Sequence, residues 1–143
     1  MKMVIILKEH HLVLQIVSRI LIPLIMLFAL YVQFHGDYGP GGGFQAGVIF
    51  AVGFILYGLI YGVDRLRKVI YPALLRIMAA FGVLLYAGVG VAGMLNGGEF
   101  LNYSVLSTDA VAGQHLGILL IEAGVGITVA STMTILFYVF ARP

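Results

Sequence analysis

The sequence contains four long apolar segments, and these restrict the fold more than any other feature. They cover about residues 12–34, 44–63, 73–95 and 114–140. A helix needs roughly 20 mostly apolar residues to cross a bilayer, and each segment meets that requirement. Backbone amides inside a bilayer must be paired within the protein, which a helix achieves. We therefore predict an all-α integral membrane protein, with four transmembrane helices in a single membrane domain over residues 1–143.

The composition excludes several function classes. Hydrophobic residues make up 62% of the chain and charged residues 10%, whereas soluble domains average about 45–50% and 25%. The chain has no cysteine, so thiolate metal sites and cysteine nucleophiles are excluded. The formal net charge of +2 is too small to indicate nucleic-acid binding. We therefore predict that the chain lies in a lipid bilayer. The first eleven residues are predicted to form a short interfacial lead-in, a segment that precedes the first span.

The positive charges lie on one side of the predicted membrane. All eight lysine and arginine residues lie in or near the terminal segments and the second loop: Lys2, Lys8, Arg19, Arg65, Arg67, Lys68, Arg76 and Arg142. The first and third loops contain none. Cytoplasmic loops carry the excess of positive charge in membrane proteins. We therefore expect both termini to be cytoplasmic and the first and third loops to lie outside.

The first loop has an unusual composition, since residues 35–47 read HGDYGPGGGFQAG. Proline fixes φ, and glycine permits positive φ and close backbone approach. A sharp reversal between two helices fits these residues. A phosphate-binding loop requires Lys and Ser or Thr after its last glycine, whereas Phe44 and Gln45 follow here. The dinucleotide-binding fingerprint requires a preceding strand, and none is predicted.

Two interpretations of this loop remain open. The first interpretation is a plain turn between two helices. The second is a packed loop with a partner or an ion nearby, and it would explain the additional glycines, because a plain turn needs only one. The second interpretation makes His35 and Asp37 candidate ion-path residues. It also gives a structural loop formed by Pro40, Gly41, Gly42, Gly43, Phe44 and Gln45.

Glu122 is the acidic residue furthest from any predicted loop. It lies about eight residues into the fourth segment, roughly 12 Å along the helix. An acid at the centre of a membrane helix costs about 2.5–3.5 kcal/mol on insertion scales. Burial disfavours the charged form of a carboxyl group, which suits reversible protonation. The functional interpretation is a proton or sodium relay; the alternative is a neutral, hydrogen-bonded group that fixes helix packing.

Two histidines are weaker candidates for the same route. His115 precedes Glu122 by seven residues, so the two share one helix face two turns apart. Histidine commonly exchanges protons at physiological pH, although His35 and His115 also suit a solvated loop and a helix start. No local cluster offers the several oxygens that a hard cation needs, so no metal site is predicted. The hydroxyls of Thr128, Thr132 and their neighbours are expected to bond back to helix carbonyls.

The segment FHGDYGPGGGFQAGVIFAVGFILYGL resembles the signature of the MnhB family, the B subunit of Mrp-type multisubunit sodium/proton antiporters. That signature is a histidine-containing turn followed by Pro-Gly-Gly-Gly-Phe and a further glycine. The last span, HLGILLIEAGVGITVASTMTILF, is similar to that family's final helix. The resemblance covers about residues 10–140.

The resemblance implies a non-autonomous subunit in the plasma membrane of a bacterium or archaeon. Sodium and protons would be the transported ions of the whole complex, with no cofactor. Larger subunits similar to the proton-pumping subunits of respiratory complex I would be its partners. The chain has one buried acid and no evident internal repeat, whereas autonomous transporters usually show paired charges, broken helices or internal repeats at mid-membrane. This also indicates a component of a larger transporter. The alternatives are an antiporter-like module of a membrane-bound hydrogenase, a purely structural subunit, and a small homo-oligomeric channel.

Overall fold

The computed structural model describes residues 2–36, 38–39 and 41–141, with side chains described from residue 11 onward. Within these ranges the chain is helical and contains no strand. Four of its helices are long and apolar enough to cross a membrane. The predicted all-α membrane architecture with four spans is confirmed.

The connections between the helices are short except for the one between α4 and α5. They are α1 (Lys2–Phe34), α2 (Gly43–Tyr61), α3 (Val63–Val69), α4 (Pro72–Leu95) and α5 (Ala110–Phe140), with a 3₁₀ turn at Tyr103–Leu106. The short α3 was not predicted and lies between the second and third spans. Helix α1 includes the expected lead-in, and α5 begins four residues earlier than the apolar pattern suggested.

Local sequence signals explain several helix boundaries. Pro72 occupies the first turn of α4, where its missing N–H is not needed. Asp109 precedes α5, and its side chain accepts a hydrogen bond of 3.3 Å from the Val111 N–H. Gly62 separates α2 from α3 with a φ of +100°, a left-handed conformation that favours glycine.

The helices pack in the order α1, α2, α5, α4, which differs from their order in the sequence. Helix α5 packs against both α2 and α4, and α2 also packs against α1. Glycines bring the helix backbones close together. A Cβ added at Gly82 of α4 would lie 2.5 Å from the Gly124 carbonyl oxygen of α5. One added at Gly47 of α2 would lie 2.6 Å from the Gly126 carbonyl oxygen, as expected for helices packed through small residues.

The two ends of the bundle differ in composition. We call the end where α1 meets α2 and α4 leads to α5 the loop end, and the opposite end the α3 end. The α3 end contains a buried apolar cluster formed by Leu66, Ile70, Leu75 and Tyr138. The Tyr138 hydroxyl donates a hydrogen bond of 2.7 Å to the Ile70 carbonyl, so the cluster joins α5 to the segment that follows α3.

Hydroxyl groups of α5 bond to their own helix, as predicted. The Thr128 hydroxyl donates to the Gly124 carbonyl at 2.8 Å, and the Thr132 hydroxyl donates to the Thr128 carbonyl at 2.7 Å. These polar side chains are therefore satisfied within the helix.

Candidate functional site

Glu122 lies on α5 at the level where α1 ends and α2 begins. Helix α5 starts at Ala110, so Glu122 lies about 18 Å along it at ~1.5 Å per residue. The first three turns of α5 therefore extend beyond the α1–α2 loop. The side chain is partly buried, and the loop covers it.

Three glycines let this loop approach Glu122. A Cβ added at Gly36 would lie 2.6 Å from Glu122 Oε1, and one at Gly42 would lie 2.9 Å from the same atom. A Cβ at Gly43 would overlap the Glu122 backbone carbonyl oxygen. Real Cβ atoms do not come this close to other heavy atoms, so a larger residue would displace the end of the Glu122 side chain at Gly36 or Gly42, and the helix backbone at Gly43. The run of glycines is thus a contact surface for Glu122, whereas the predicted partner or ion beside the loop stays a prediction.

The structure describes some of the other residues of the predicted loop. Gly41 has a φ of +136°, which requires glycine. Phe44 and Gln45 open α2 and are exposed. Asp37 and Pro40 lie outside the described residues, so their predicted roles stay predictions.

An aromatic ladder joins the two candidate histidines. His35 stacks on Tyr31 with ring centroids 5.0 Å apart, and its ring lies 6.0 Å from that of Tyr38. Tyr38 in turn stacks on His115 at 6.3 Å. The structure thus brings His35 and His115 to the same end of the bundle, with one tyrosine ring between them. Their functional roles stay predictions.

Gln33 belongs to this region and was missed at the level of the sequence. Gln33 lies in the last turn of α1, three residues before Gly36. Its Oε1 atom would be 2.5 Å from a Cβ added at Gly126. Gly126 in turn lies one turn after Glu122 on α5. The Gln33 Nε2 atom is buried without a hydrogen-bond partner. The sequence signal that could have identified Gln33 is its position as a polar residue near the end of an apolar span.

The third loop packs over the first turns of α5. Tyr103 lies against Gly117, and a Cβ added at Gly113 would lie 2.5 Å from the Tyr103 carbonyl oxygen. Burial, with a smaller contribution from Tyr86, raises the pKa of the Tyr103 hydroxyl above its ordinary value.

The arrangement places the Glu122 carboxyl group and the imidazoles of His35 and His115 at the loop end. These groups can bind and release protons, and a carboxylate can also attract a cation. In the part of the chain that the structure describes, no three His, Cys, Asp or Glu side chains form a group that could hold a metal ion. The predicted role of these groups in an ion path stays a prediction.

Comparison with known proteins gives consistent matches. Residues 13–135 match a family model described as a domain related to the MnhB subunit of Na⁺/H⁺ antiporter. The chain is also similar to proteins of Staphylococcus aureus strains Newman, JH1 and USA300 that are described as antiporter subunit mnhB2. Each of the three is 31% identical over 137 residues, an alignment that covers 89% of this chain and 96% of the relative.

Proposed function

Because the chain belongs to the MnhB family, we propose that it is a non-autonomous membrane subunit of a multisubunit sodium/proton antiporter. The support is the family match over residues 13–135 together with four apolar helices. The Glu122 carboxyl group alone does not form a path across a membrane. Other subunits of the complex must supply the remainder.

The proposed setting is the plasma membrane of a bacterium or archaeon, with both termini in the cytoplasm. The distribution of charge supports this orientation, because Arg65, Arg67 and Lys68 lie on α3. The loop end carries Glu122 and the two histidines, and would face the outside. Partner subunits similar to the proton-pumping subunits of complex I would carry the main proton path.

Within such a complex, we propose that Glu122 lies on or beside the ion route, with His35, Asp37 and His115 at its outer mouth. This proposal is based mainly on the contact between Glu122 and the loop glycines Gly36 and Gly42. That contact keeps bulky side chains away from the carboxyl group while placing it next to polar backbone. A carboxyl group in this position can accept a proton from the outside and pass it, or a sodium ion, to a neighbouring subunit.

The test is Glu122→Gln in the assembled complex. Glutamine keeps the size of the side chain and one acceptor oxygen, replaces the other oxygen with an NH₂ donor, and removes the charge and the exchangeable proton. We expect a fall in antiport of at least about 100-fold, the low end of what a positioned proton-transfer group contributes. The measurement is sodium-dependent proton movement in everted membrane vesicles, normalised to the amount of assembled complex.

The matched control is Glu99→Gln, which neutralises an exposed acid in the third loop. We expect it to transport normally. Normal antiport by Glu122→Gln would remove Glu122 from the ion route and leave a structural subunit. Loss of assembly by Glu122→Gln, with normal transport in the complexes that do form, would have the same meaning.

A further inference from the structure

Helix α3 is fixed at the edge of the membrane because it connects two spans. The spans Gly43–Tyr61 and Pro72–Leu95 precede and follow it, with one residue before α3 and two residues after it. Helix α3 (Val63–Val69) is about 10 Å long at ~1.5 Å per residue, too short to cross a bilayer. It therefore lies at the level where the hydrocarbon ends and the lipid headgroups begin.

One face of α3 is attached to the bundle and another face is free. The Leu66 side chain is fully buried in the apolar cluster at the α3 end, and Ile70 directly after the helix belongs to the same cluster. Arg65 and Lys68 are exposed. Because they are three residues apart, they share one face of the helix. Helix α3 thus packs its apolar side against the protein and presents its charged side to the headgroup region.

Arg67 is held between these two surfaces. Its guanidinium carbon lies 5.6 Å from the centre of the Tyr138 ring, within the range of a cation–π contact. The Nε atom is buried, whereas the side chain as a whole is partly exposed. Among the described residues, none forms a hydrogen bond or an ion pair with Arg67. The Tyr138 ring therefore orients the guanidinium, and an external anion can reach its terminal amino groups.

The α3 end has an excess of positive charge. Arg19 belongs to this end, because the hydroxyl of its neighbour Ser18 lies 3.4 Å from the hydroxyl of Tyr61 at the end of α2. Five cations and one acid, Asp64, are found at this end, and none of them forms an ion pair with a described residue. The cations are Arg19, Arg65, Arg67, Lys68 and Arg76. Basic clusters beside a membrane span attract anionic lipids.

We propose that α3 binds the phosphate of an anionic phospholipid, with the terminal amino groups of Arg67 as its main ligand and Arg65 and Lys68 as flanking charges. Arginine binds phosphate through parallel N–H···O bonds, and stacking on an aromatic ring fixes its plane. Val69 and Tyr71 are exposed by 60% and 54% beside these cations. Apolar and aromatic side chains next to cations suit the boundary between acyl chains and phosphates, whereas an acidic protein segment would need only the cations.

The inference does not depend on the proposed antiport, because the two spans alone place α3 at the headgroup level. Photolabelling tests it in vesicles that contain the assembled complex and equal amounts of phosphatidylglycerol and phosphatidylcholine. Each preparation contains a trace of one of two probes, which carry the same diazirine acyl chain and differ only in a glycerol or a choline headgroup. Labelled positions are identified by mass spectrometry of peptides from this chain.

We expect the phosphatidylglycerol probe to label the segment around Val69 and Tyr71 several-fold more than the phosphatidylcholine probe. Phe81 is the internal reference, because it is 54% exposed on α4 and about 14 Å from the start of that helix at ~1.5 Å per residue. At that depth only acyl chains reach it, so both probes should label it equally. Added salt should reduce the difference between the probes at α3, since it screens exposed charges.

Substitution of Arg67 tests the assignment of the main ligand. Arg67→Gln should lower the preference for phosphatidylglycerol at least about fivefold, the contribution of one cation near an anionic surface. Arg67→Lys keeps the charge without the planar fork and should lower it less. Lys68→Gln is the matched control: it removes an exposed cation of the same helix and should have a smaller effect than Arg67→Gln.

Three results overturn the proposal: equal labelling of α3 by the two probes, no labelling of α3 in complexes whose Phe81 is labelled, or equal effects of Arg67→Gln and Lys68→Gln. The second result would mean that another subunit covers α3, and the third that only diffuse charge attracts the lipid. Copurification of other antiporter subunits with the tagged chain reports on the proposed function separately.

Discussion

Gly42 faces the Glu122 carboxyl group so closely that a Cβ at Gly42 would lie 2.9 Å from Oε1. Gly42 has an extended backbone with a φ of −172°, a conformation open to any residue. The contact with Glu122 is therefore what restricts this position to glycine. It links the first loop to α5 through a side chain that is able to move.

Gly42→Ala is expected to displace the Glu122 carboxyl group while leaving helix packing intact. Only the end of a flexible side chain has to retreat, so the complex should assemble at its normal level. A displaced functional group lowers activity between a few-fold and about 100-fold. We expect a corresponding rise in the sodium concentration needed for half-maximal antiport, measured in vesicles. Unchanged sodium dependence would mean that transport does not depend on the position of the carboxyl group.

Gly43→Ala should behave differently, because its Cβ would meet the Glu122 backbone carbonyl. Helix backbone cannot move without separating α2 from α5, and overpacking of this kind costs about 1–3 kcal/mol. We expect a lower melting temperature in detergent and less assembled complex. A Gly43→Ala protein as stable as the wild type would show that α2 and α5 do not touch at this level.

Gly82→Ala is expected to destabilise the contact between α4 and α5 by a similar amount, about 1–3 kcal/mol. The added Cβ would lie 2.5 Å from the Gly124 carbonyl oxygen and would overlap the Thr128 hydroxyl. Gly88→Ala, on the same helix, is the control because nothing lies within 4 Å of its added Cβ. Thermal unfolding in detergent should separate the two variants, and equal melting temperatures would contradict the close packing of these helices.

Tyr138→Phe removes the 2.7 Å hydrogen bond to the buried Ile70 carbonyl. Losing a buried hydrogen bond and leaving the acceptor unsatisfied costs about 1–2 kcal/mol. We expect lower thermal stability and normal antiport per assembled complex. Tyr71→Phe, at a position 54% exposed, should change neither quantity. A transport defect in Tyr138→Phe would give the α3 end a role in the ion route.

Tyr38→Ala should disconnect His35 from His115, whereas Tyr38→Phe should preserve both ring contacts. Stacked aromatic pairs contribute about 0.5–1.5 kcal/mol beyond the area they bury, enough to hold an exposed loop over α5. We expect the dependence of antiport on external pH to change in Tyr38→Ala only. Identical pH profiles for the two variants would remove the ladder from the mechanism.

Apolar segments predicted the membrane helices because length and hydropathy dictate them directly. The boundaries were less accurate, since α3 is short and charged, and α5 begins with the small residues Ala110 and Ala112. The glycines of the first loop predicted close backbone approach without identifying the group that is approached. The pairing of Gly42 with Glu122 joins residues 80 positions apart in the sequence, and no local pattern encodes it. Gln33 was missed because one polar residue at the end of a span is common.

The central position of α5 has a consequence for biogenesis. Helix α4 makes its main helix contacts with α5, and α2 contacts α5 on one side and α1 on the other. During translation, α1 and α2 can pair as soon as they enter the bilayer. Helix α4 must wait for α5, which emerges last of the four spans. The subunit therefore completes its fold and covers Glu122 only after α5 has entered the bilayer.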